Sequence, residues 1–373
     1  MSDYLPDEII KEILTKLPVK SLLRFTAVCK SWYSHIKNPS FINAHLNQTI
    51  ANTQHKSQRL LVRYYDKTSK EEQYSLRWDD DNFGDQFSAL NFPFKSVLGY
   101  VRIVGSCNGL LCLCDDLFGD ANTITLWNPS IRKAVNVAMR INLRLPHMFV
   151  LGFGVCPVTH DAKLVRIVYV RDATHRNRFI APPKVEVYAL SSGTWRSAVE
   201  TAAPPCYLTE FTWSQAFVSG FVHWVAYSKV CPRNLIVRFD IRNEVFGEMV
   251  LPDDLCSELV SNLSAAVRGE SLAMLKYNKE IGTCCVWVMK EYGVAESWTK
   301  LFSIDLPGIL RRTIGFRKNG EVMLSLASNE LVSYDPNKKE IKYLGVRGNI
   351  RSFYVDTYTE SLALLERGVA EYL

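Results

Sequence analysis

Hydrophobic residues follow two different periods along this chain, and the change falls near residue 58. Up to residue 47 they recur every three or four positions, as in helices, whereas later they alternate in short runs bounded by turn residues. We therefore predict an α+β multidomain protein with a small helical domain at 1–47, a polar linker at 48–57, an all-β domain at 58–366 and a C-terminal tail at 367–373.

The first predicted helix lies in LPDEIIKEILTK, begins near Pro6 and ends before Pro18. Proline suits the first turn of a helix, and Asp7 and Glu8 suit the positive end of its dipole. The apolar residues of this helix fall within one arc of about 140°. They are Ile9, Ile10, Ile13, Leu14 and Leu17.

A second predicted helix, capped by Ser21, is apolar on two sides, and a third follows Pro39. One side of the second helix can pack on the other helices, whereas the other side requires a partner. Three short helices would be marginal as an isolated domain. The simplest interpretation is that another protein covers this surface by helix-to-groove packing, and the alternative is docking onto the rest of the chain.

The segment LPDEIIKEILTKLPVKSLLRFTAVCKSWYSHIKNPSFI resembles an F-box, the adaptor-binding helical module of SCF-type ubiquitin ligases. The resemblance implies binding to a Skp-type adaptor and, through it, to a cullin scaffold. The residues that it implies for the adaptor surface are Leu5, Pro6, Ile9, Ile13, Leu14, Leu17, Pro18, Leu22, Val28, Cys29 and Trp32.

The β-rich domain contains a repeat of about 50 residues, a period typical of kelch-like propeller blades. Five motifs align on one large apolar position, with intervals of 61, 51, 50 and 45 residues between Trp127, Tyr188, Phe239, Met289 and Tyr334. The domain length predicts about six blades. The sixth would combine strands around RLLVRYY and EEQYSLRW with SFYVDTY and SLALLE near the C-terminus, which closes the ring. Seven blades or an open sandwich are the alternatives.

Further motifs resemble the F-box-associated domain of a large plant F-box family: CNGLLCL, LWNPSIRK, HWVAY, LIVRFD and VWVMKEYGVAESWTKLFSI. Members of that family act as substrate receptors whose C-terminal domain selects the protein to be ubiquitinated. The resemblance therefore implies a non-catalytic receptor with a small helical F-box followed by an all-β, propeller-like domain.

Composition narrows the function further. The ten cysteines lack paired metal-ligand spacing, so we interpret them, including Cys107, Cys112 and Cys114, as packing residues in a reducing compartment. The absence of a charged leader and of an apolar run near 20 residues predicts no membrane span and a cytoplasmic or nuclear location. The net charge of +6 is spread thinly, and no recurring aromatic and basic arrangement indicates nucleic-acid binding. No cofactor is indicated.

The competing hypothesis is a hydrolase-like propeller enzyme with an accessory helical docking module. Its candidate residues are Asp115, Asp116, Asp240, Asp335 and His223. Since no acidic set recurs at equivalent blade positions, we interpret Asp240 and Asp335 as turn residues and His223 as packed within a strand.

The densest basic segment, RDATHRNRF, lies within the longest repeat and predicts an extended, exposed loop. Its cationic residues could pair with carboxylates or phosphates on an acidic target surface. The alternative is a solvated charged turn. The target-binding residues predicted on this basis are Arg171, His175, Arg176 and Arg178.

Overall fold

The computed structural model describes residues 6–55, 58–83, 87–91, 101–115, 123–138, 147–172, 182–198, 206–208, 215–228, 231–278 and 280–365. Within these ranges the chain forms an N-terminal helical module, residues 6–55, followed by a six-bladed β-propeller. The module contains α1 (Asp7–Thr15), α2 (Val19–Phe25), α3 (Lys30–Lys37) and α4 (Pro39–His55).

The second predicted helix is two helices, α2 and α3, and this differs from the prediction of one continuous helix. Pro18, not Ser21, occupies the N-cap of α2. The break falls at Thr26–Cys29, where β-branched residues disfavour helix and Cys29 is fully extended. The Sγ atom of Cys29 then accepts a hydrogen bond from the backbone N–H of Trp32 at 3.5 Å and caps α3.

The segment predicted as a linker, 48–57, is helical as far as His55, because α4 continues through it. The helix is anchored by the buried residues Phe41, Ile42 and Leu46. The hydroxyl of Thr49 donates to the backbone O of His45 at 2.8 Å within the same helix. The interpretation of this segment as an irregular linker is therefore wrong for residues 48–55.

Each blade is an antiparallel sheet whose strands follow one another from the central channel outward. In that order, the first blade contains β25 (Tyr354–Tyr358), β1 (Arg59–Asp66), β2 (Glu71–Trp78) and β3 (Phe87–Leu90). The second blade contains β4 (Arg102–Cys107), β5 (Leu110–Cys114), β6 (Thr123–Asn128) and β7 (Lys133–Ala138). The third blade contains β8 (His147–Val155), β9 (Ala162–Val170), β10 (Lys184–Ala189) and β11 (Thr194–Ser197).

The remaining blades follow the same order. In the fourth blade, β12 (Tyr207–Leu208) and β13 (Ala216–Val218) both pair with β14 (Phe221–Ser228), which is followed by β15 (Arg233–Asp240) and β16 (Phe246–Val250). The short helix α5 (Asp253–Cys256) leads to the fifth blade, which contains β17 (Leu263–Arg268), β18 (Ser271–Asn278), β19 (Thr283–Met289) and β20 (Trp298–Asp305). The sixth blade contains β21 (Leu310–Phe316), β22 (Val322–Leu326), β23 (Glu330–Asp335) and β24 (Glu340–Arg347).

The repeat found in the sequence corresponds to one structural position. Its five aligned residues each lie near the end of the third strand of a blade, and all are buried. Large apolar side chains there fill the contacts between neighbouring blades. The prediction of about six blades is confirmed.

Ring closure follows the predicted sharing of one blade by both ends of the chain, with a correction. Strand β25, from SFYVDTY, pairs with β1 and forms the innermost strand of the first blade. SLALLE does not form a strand: of its described residues, 361 and 362 are irregular and 363–365 form a turn. The fourth strand of that blade is instead β3.

The C-terminal segment 361–365 packs between the propeller and the helical module. Its leucines are buried because they share one apolar cluster with the helices. The cluster contains Leu362, Leu364 and Leu365 together with Leu14, Val19, Leu22, Ile36, Phe41 and Ile42. Part of the apolar surface of the module is therefore covered by its own chain, which is the alternative that the sequence leaves open.

The two faces of the propeller differ in what they can contact. Antiparallel pairing places alternate turns at opposite ends of each blade. The helical module contacts the face formed by the start of β1 and the ends of β2, β6 and β25, which we term the module face. The opposite face, which we term the distal face, includes the turns 67–70 and 327–329 and the connections 251–262, 306–309 and 348–353.

Candidate functional site

The predicted adaptor surface divides by exposure into three groups. Exposed residues of the group are Pro6, Ile9, Ile13, Pro18, Val28 and Cys29. Leu17 and Trp32 are half-buried, and Leu5 lies outside the described residues. Leu14 and Leu22 are 1% and 0% exposed within the chain, so their side chains can support the surface but cannot contact a partner in this conformation.

The helices hold the exposed group in place through short-range contacts. The rings of Phe25 and Trp32 pack at 5.1 Å across the break between α2 and α3. At the start of α1, a carboxylate oxygen of Asp7 lies 3.9 Å from Nε2 of His35 on α3. Val28 lies in the turn between Phe25 and Trp32, with 60% of its surface exposed.

A groove of about 420 Å³ separates the helical module from the first blade. Arg59 closes one side by pairing with Glu360 at 2.5 Å and stacking 4.4 Å over the ring of Trp78. On the helical side, Nε2 of His45 donates to the backbone O of Leu17 at 2.8 Å, and burial lowers the pKa of this ring. The first two contacts lie within the propeller and the third lies within the module, so each wall of the groove is ordered by contacts of its own domain.

The polar anchor of this junction is Asn128, at the end of β6. Its Nδ2 donates to the backbone O of Ser361 at 3.0 Å and of Ala363 at 2.9 Å, while its Oδ1 accepts from the N–H of Ser130. Sequence patterns did not identify this residue. The available signal was LWNPSIRK, where asparagine stands at the position that Asp240 and Asp335 occupy in later blades.

The predicted target loop begins on the distal face. Arg171 and Asp172 follow β9, and Arg171 is half-buried. His175, Arg176 and Arg178 lie outside the described residues. The target-binding role of this loop stays a prediction.

Two of the carboxylates considered as catalytic candidates accept hydrogen bonds from the backbone of their own turns. Asp240 accepts the backbone N–H groups of Arg242 and Asn243 at 2.8 and 3.0 Å, and Asp335 accepts those of Asn337 and Lys338 at 2.8 and 3.2 Å. Both are therefore turn residues, as predicted. Asp116 lies outside the described residues, and Asp115 follows β5 with its N–H directed to Thr123.

Two polar side chains on or beside the innermost strands were not found from sequence. Burial raises the pKa of Asp356 on β25 to about 6, while Tyr354 donates to its carboxylate at 2.8 Å. Gln215 bridges to β8 by accepting from the N–H of Phe153 and donating to its carbonyl, both at 2.6 Å. A Cβ on Gly105 of β4 would lie 2.3 Å from Nε2 of this amide, so a larger residue there would displace the Gln215 side chain.

Most of the cysteines match the packing role predicted for them, whereas Cys29 and Cys231 are exposed. Cys112 and Cys114 are fully buried on β5, and burial raises the pKa of the Cys107 thiol to about 12. Within the described ranges, no group of three or more His, Cys, Asp or Glu side chains could hold a metal ion. The described helices include none that is long and apolar enough to cross a membrane.

His223 is buried within β14, as predicted, and its contacts define a neutral ring. Nδ1 donates to the backbone O of Ala216 at 3.1 Å, so Nε2 must accept from the hydroxyl of Tyr292 at 2.8 Å. Burial lowers the pKa of His223 from 6.5 to about 4. The ring thus connects the fourth blade to the loop after β19.

This environment predicts a pH-dependent stability. Because the pKa of His223 is lower in the folded protein than in the unfolded chain, the unfolded chain binds the proton more tightly. The neutral ring therefore makes its full contribution to stability above pH 6.5, and this contribution is lost as the pH falls towards 4. Between pH 7 and pH 5 the parent should lose about 2 kcal/mol of stability that His223→Gln does not lose. Urea unfolding at both pH values measures this. An equal loss of unfolding free energy in the parent and in His223→Gln between pH 7 and pH 5 would contradict the prediction. Between pH 7 and pH 8, where the ring is neutral in both states, the stability of the two proteins should change alike.

Comparison with known proteins identifies the class of this protein. The F-box domain family matches residues 3–43, and the F-box associated beta propeller domain family matches residues 85–365. The chain belongs to the plant F-box proteins with an F-box-associated propeller. The described strands extend this propeller toward the N-terminus, to Arg59.

Relatives cover nearly the whole chain. An F-box protein of Arabidopsis thaliana is 28% identical over 398 residues, with 97% of this chain and 92% of the relative covered. F-box protein CPR1 of the same plant is 27% identical over 384 residues, with 96% and 89% covered. Among solved structures, Porphyromonas gingivalis dipeptidyl peptidase 4 has a TM-score of 0.37 at 11% identity over 79% of this chain and 50% of that one. That TM-score supports no functional argument.

Proposed function

We propose that this protein is the substrate-recognition subunit of an SCF-type ubiquitin ligase. Its F-box would bind a Skp-type adaptor and, through it, a cullin, while the propeller would hold a target protein. The observation that carries the proposal is a family-matched F-box that keeps Ile9, Ile13 and Val28 exposed after part of its apolar surface docks on the propeller. Exposed aliphatic residues of this kind are suited to a partner interface.

The protein would contribute proximity and no bond-making chemistry of its own. The helical module packs against segment 361–365, so a target on the distal face would be held at a fixed position relative to the adaptor. Arg171, His175, Arg176 and Arg178 are proposed to contact an acidic part of that target. We place the complex in the cytoplasm, the nucleus or both.

The adaptor interface gives a direct test. The double variant Ile13→Ser and Val28→Ser should weaken binding to a purified Skp-type adaptor by more than about tenfold, because central apolar anchors typically contribute about 2 kcal/mol or more. Isothermal titration calorimetry with the full-length protein measures the affinity.

A matched control is Tyr343→Ser, which removes an equally exposed apolar residue from β24 of the sixth blade. This variant should bind the adaptor as the parent does. Parental affinity in the double variant would show that these exposed residues do not form the adaptor surface.

A further inference from the structure

The C-terminal part of the chain links closure of the propeller ring to the helical module. Strand β25, residues 354–358, is the innermost strand of the first blade and pairs with β1. The next residues, 359–365, run from this strand to the apolar cluster that contains the helices, and we term them the strap. Because β25 and the strap are consecutive, contacts that hold the strap also restrict β25.

The second blade anchors the strap through polar contacts at two turns. Nδ2 of Asn128 donates to the carbonyl oxygens of Ser361 and Ala363 at 3.0 and 2.9 Å. At the turn after β4, a Cβ on Gly109 would lie 2.4 Å from Oγ of Ser361 and 2.6 Å from the carbonyl oxygen of Thr359. The strap therefore lies directly on the second blade, while β25 belongs to the first.

The amide of Asn128 serves the strap as well as its own turn. At the equivalent position in later blades, Asp240 and Asp335 accept backbone N–H groups of their turns through a carboxylate oxygen. Oδ1 of Asn128 accepts from the N–H of Ser130 in the same way, at 2.9 Å, so the turn does not require an amide. The amide nitrogen adds the two donors that a carboxylate lacks, and both are used by the strap.

Two further contacts join the strap region to the first blade and to the turn after β6. A carboxylate oxygen of Glu360 accepts from Nη1 of Arg59, the first residue of β1, at 2.5 Å. The hydroxyl of Tyr358, the last residue of β25, lies 2.7 Å from Oγ of Ser130. The first contact holds the strap to β1, and the second holds β25 to the turn that carries Asn128.

The helices bury the strap with one side and leave another side exposed. On α1, Leu14 is 1% exposed and shares the apolar cluster with the strap leucines, whereas its neighbour Ile13 is 48% exposed. Leu22 of α2 is also buried in this cluster, whereas Val28, in the turn after α2, is exposed. A partner that binds Ile13 and Val28 would therefore hold the same helices that cover Leu362.

We propose that adaptor binding to the helical module is thermodynamically coupled to closure of the propeller ring through the strap. This inference rests on the proposed adaptor function. The adaptor holds the helices, the helices bury the strap, and the strap continues β25, so a bound adaptor reduces local opening of β25 from β1. By reciprocity, the adaptor favours the docked strap by the same factor as the docked strap favours adaptor binding. The receptor therefore closes its ring most firmly when it is assembled with the adaptor.

Hydrogen–deuterium exchange of the full-length protein, with and without a purified Skp-type adaptor, tests the coupling. Amides of β25 and of its partner residues in β1, Arg59 to Arg63, should exchange at least about fivefold more slowly in the complex, the lower end of typical coupling between sites. The hairpin of β18 and β19 in the fifth blade is the internal reference and should not change. Unchanged exchange in β1 and β25 of the saturated complex, or equal slowing of the reference hairpin, would overturn the inference.

A substitution of Asn128 tests the link between β25 and the helices without the adaptor. Asn128→Asp keeps an oxygen for the N–H of Ser130 but directs a carboxylate at carbonyl oxygens of the strap, which lose their donors. Exchange should become about fivefold faster in both β25 and α1, and adaptor affinity, measured by isothermal titration calorimetry, should fall by a similar factor. Asp335→Asn, at the equivalent position of the sixth blade, is the matched control and should behave as the parent.

Glu360→Gln is a milder second variant, because it removes only the ion pair with the partly exposed Arg59. Exchange in β25 and α1 should become faster together, by about twofold. Faster exchange in β25 with parental exchange in α1 and parental adaptor affinity, in both variants, would overturn the inference alone. A parent that binds no Skp-type adaptor in the calorimeter would instead contradict the ligase function and, with it, the coupling.

Discussion

Deletion of residues 350–373 should abolish cooperative folding of the propeller. The deletion removes β25, the innermost strand of the first blade, and leaves the backbone groups of β1 from Arg59 to Arg63 without their pairing partners. It also removes Tyr358 from the core between the first two blades and the leucines of 361–365 from the junction with the helices. An exposed sheet edge together with exposed apolar surface favours aggregation. Size-exclusion chromatography and calorimetry should show aggregated protein without a parental transition.

The control is truncation after Leu365, which keeps every described contact of β25 and the segment 361–365. This protein should melt at the parental temperature. A cooperative parental transition in the longer deletion would show that the ring does not depend on β25. Deletion of the helical module is not a neutral comparison, because it would expose Leu362, Leu364 and Leu365.

The sequence predicted the propeller well because a blade is a local unit. Each aligned residue, from Trp127 to Tyr334, is surrounded in sequence by the strands with which it pairs, so the repeat carries both blade number and register. The same locality identified the turns at Asp240 and Asp335, where the side chain bonds to residues two and three positions later.

Hydrophobic periodicity did not show which apolar residues of a helix are buried within the chain and which are exposed. It identified Leu14 and Ile13 as apolar residues of α1, yet the first is buried and the second is exposed. Which of them faces the chain depends on Leu362 and its neighbours, more than 300 residues away in the sequence. No pattern within α1 contains that information, and the same limit applies to Leu22.

Long-range polar contacts were missed for a related reason. The clearest case joins the first and sixth blades on the module face, between residues 238 positions apart. Nε of Arg317 donates to Oδ1 of Asp79 at 2.7 Å, and Nη2 donates to the carbonyl of Asp80 at 2.6 Å. The other carboxylate oxygen of Asp79 accepts the N–H of Lys318 at 2.8 Å. Neither charged residue stands out locally in the sequence.

This pair should dominate the polar contribution to ring closure. Both side chains are 1% exposed, and Glu321 accepts from Nη1 of Arg317 at 2.8 Å. Arg317→Met would leave the carboxylate of Asp79 buried without its cation, which typically costs about 3 to 5 kcal/mol. Thermal unfolding of the full-length protein should show a large decrease in Tm.

Arg347 provides the matched control, because it pairs with Glu330 of the same blade at 2.8 Å but its side chain is 80% exposed. Arg347→Met should change stability by less than about 1 kcal/mol, since water solvates both charges when an exposed pair is broken. The double variant Arg317→Met with Asp79→Leu should recover much of the stability lost in Arg317→Met, because the penalty comes from the unpaired charge and not from the missing contact. Similar small effects at Arg317 and Arg347 would show that burial of the pair does not determine how strongly the first and sixth blades are joined.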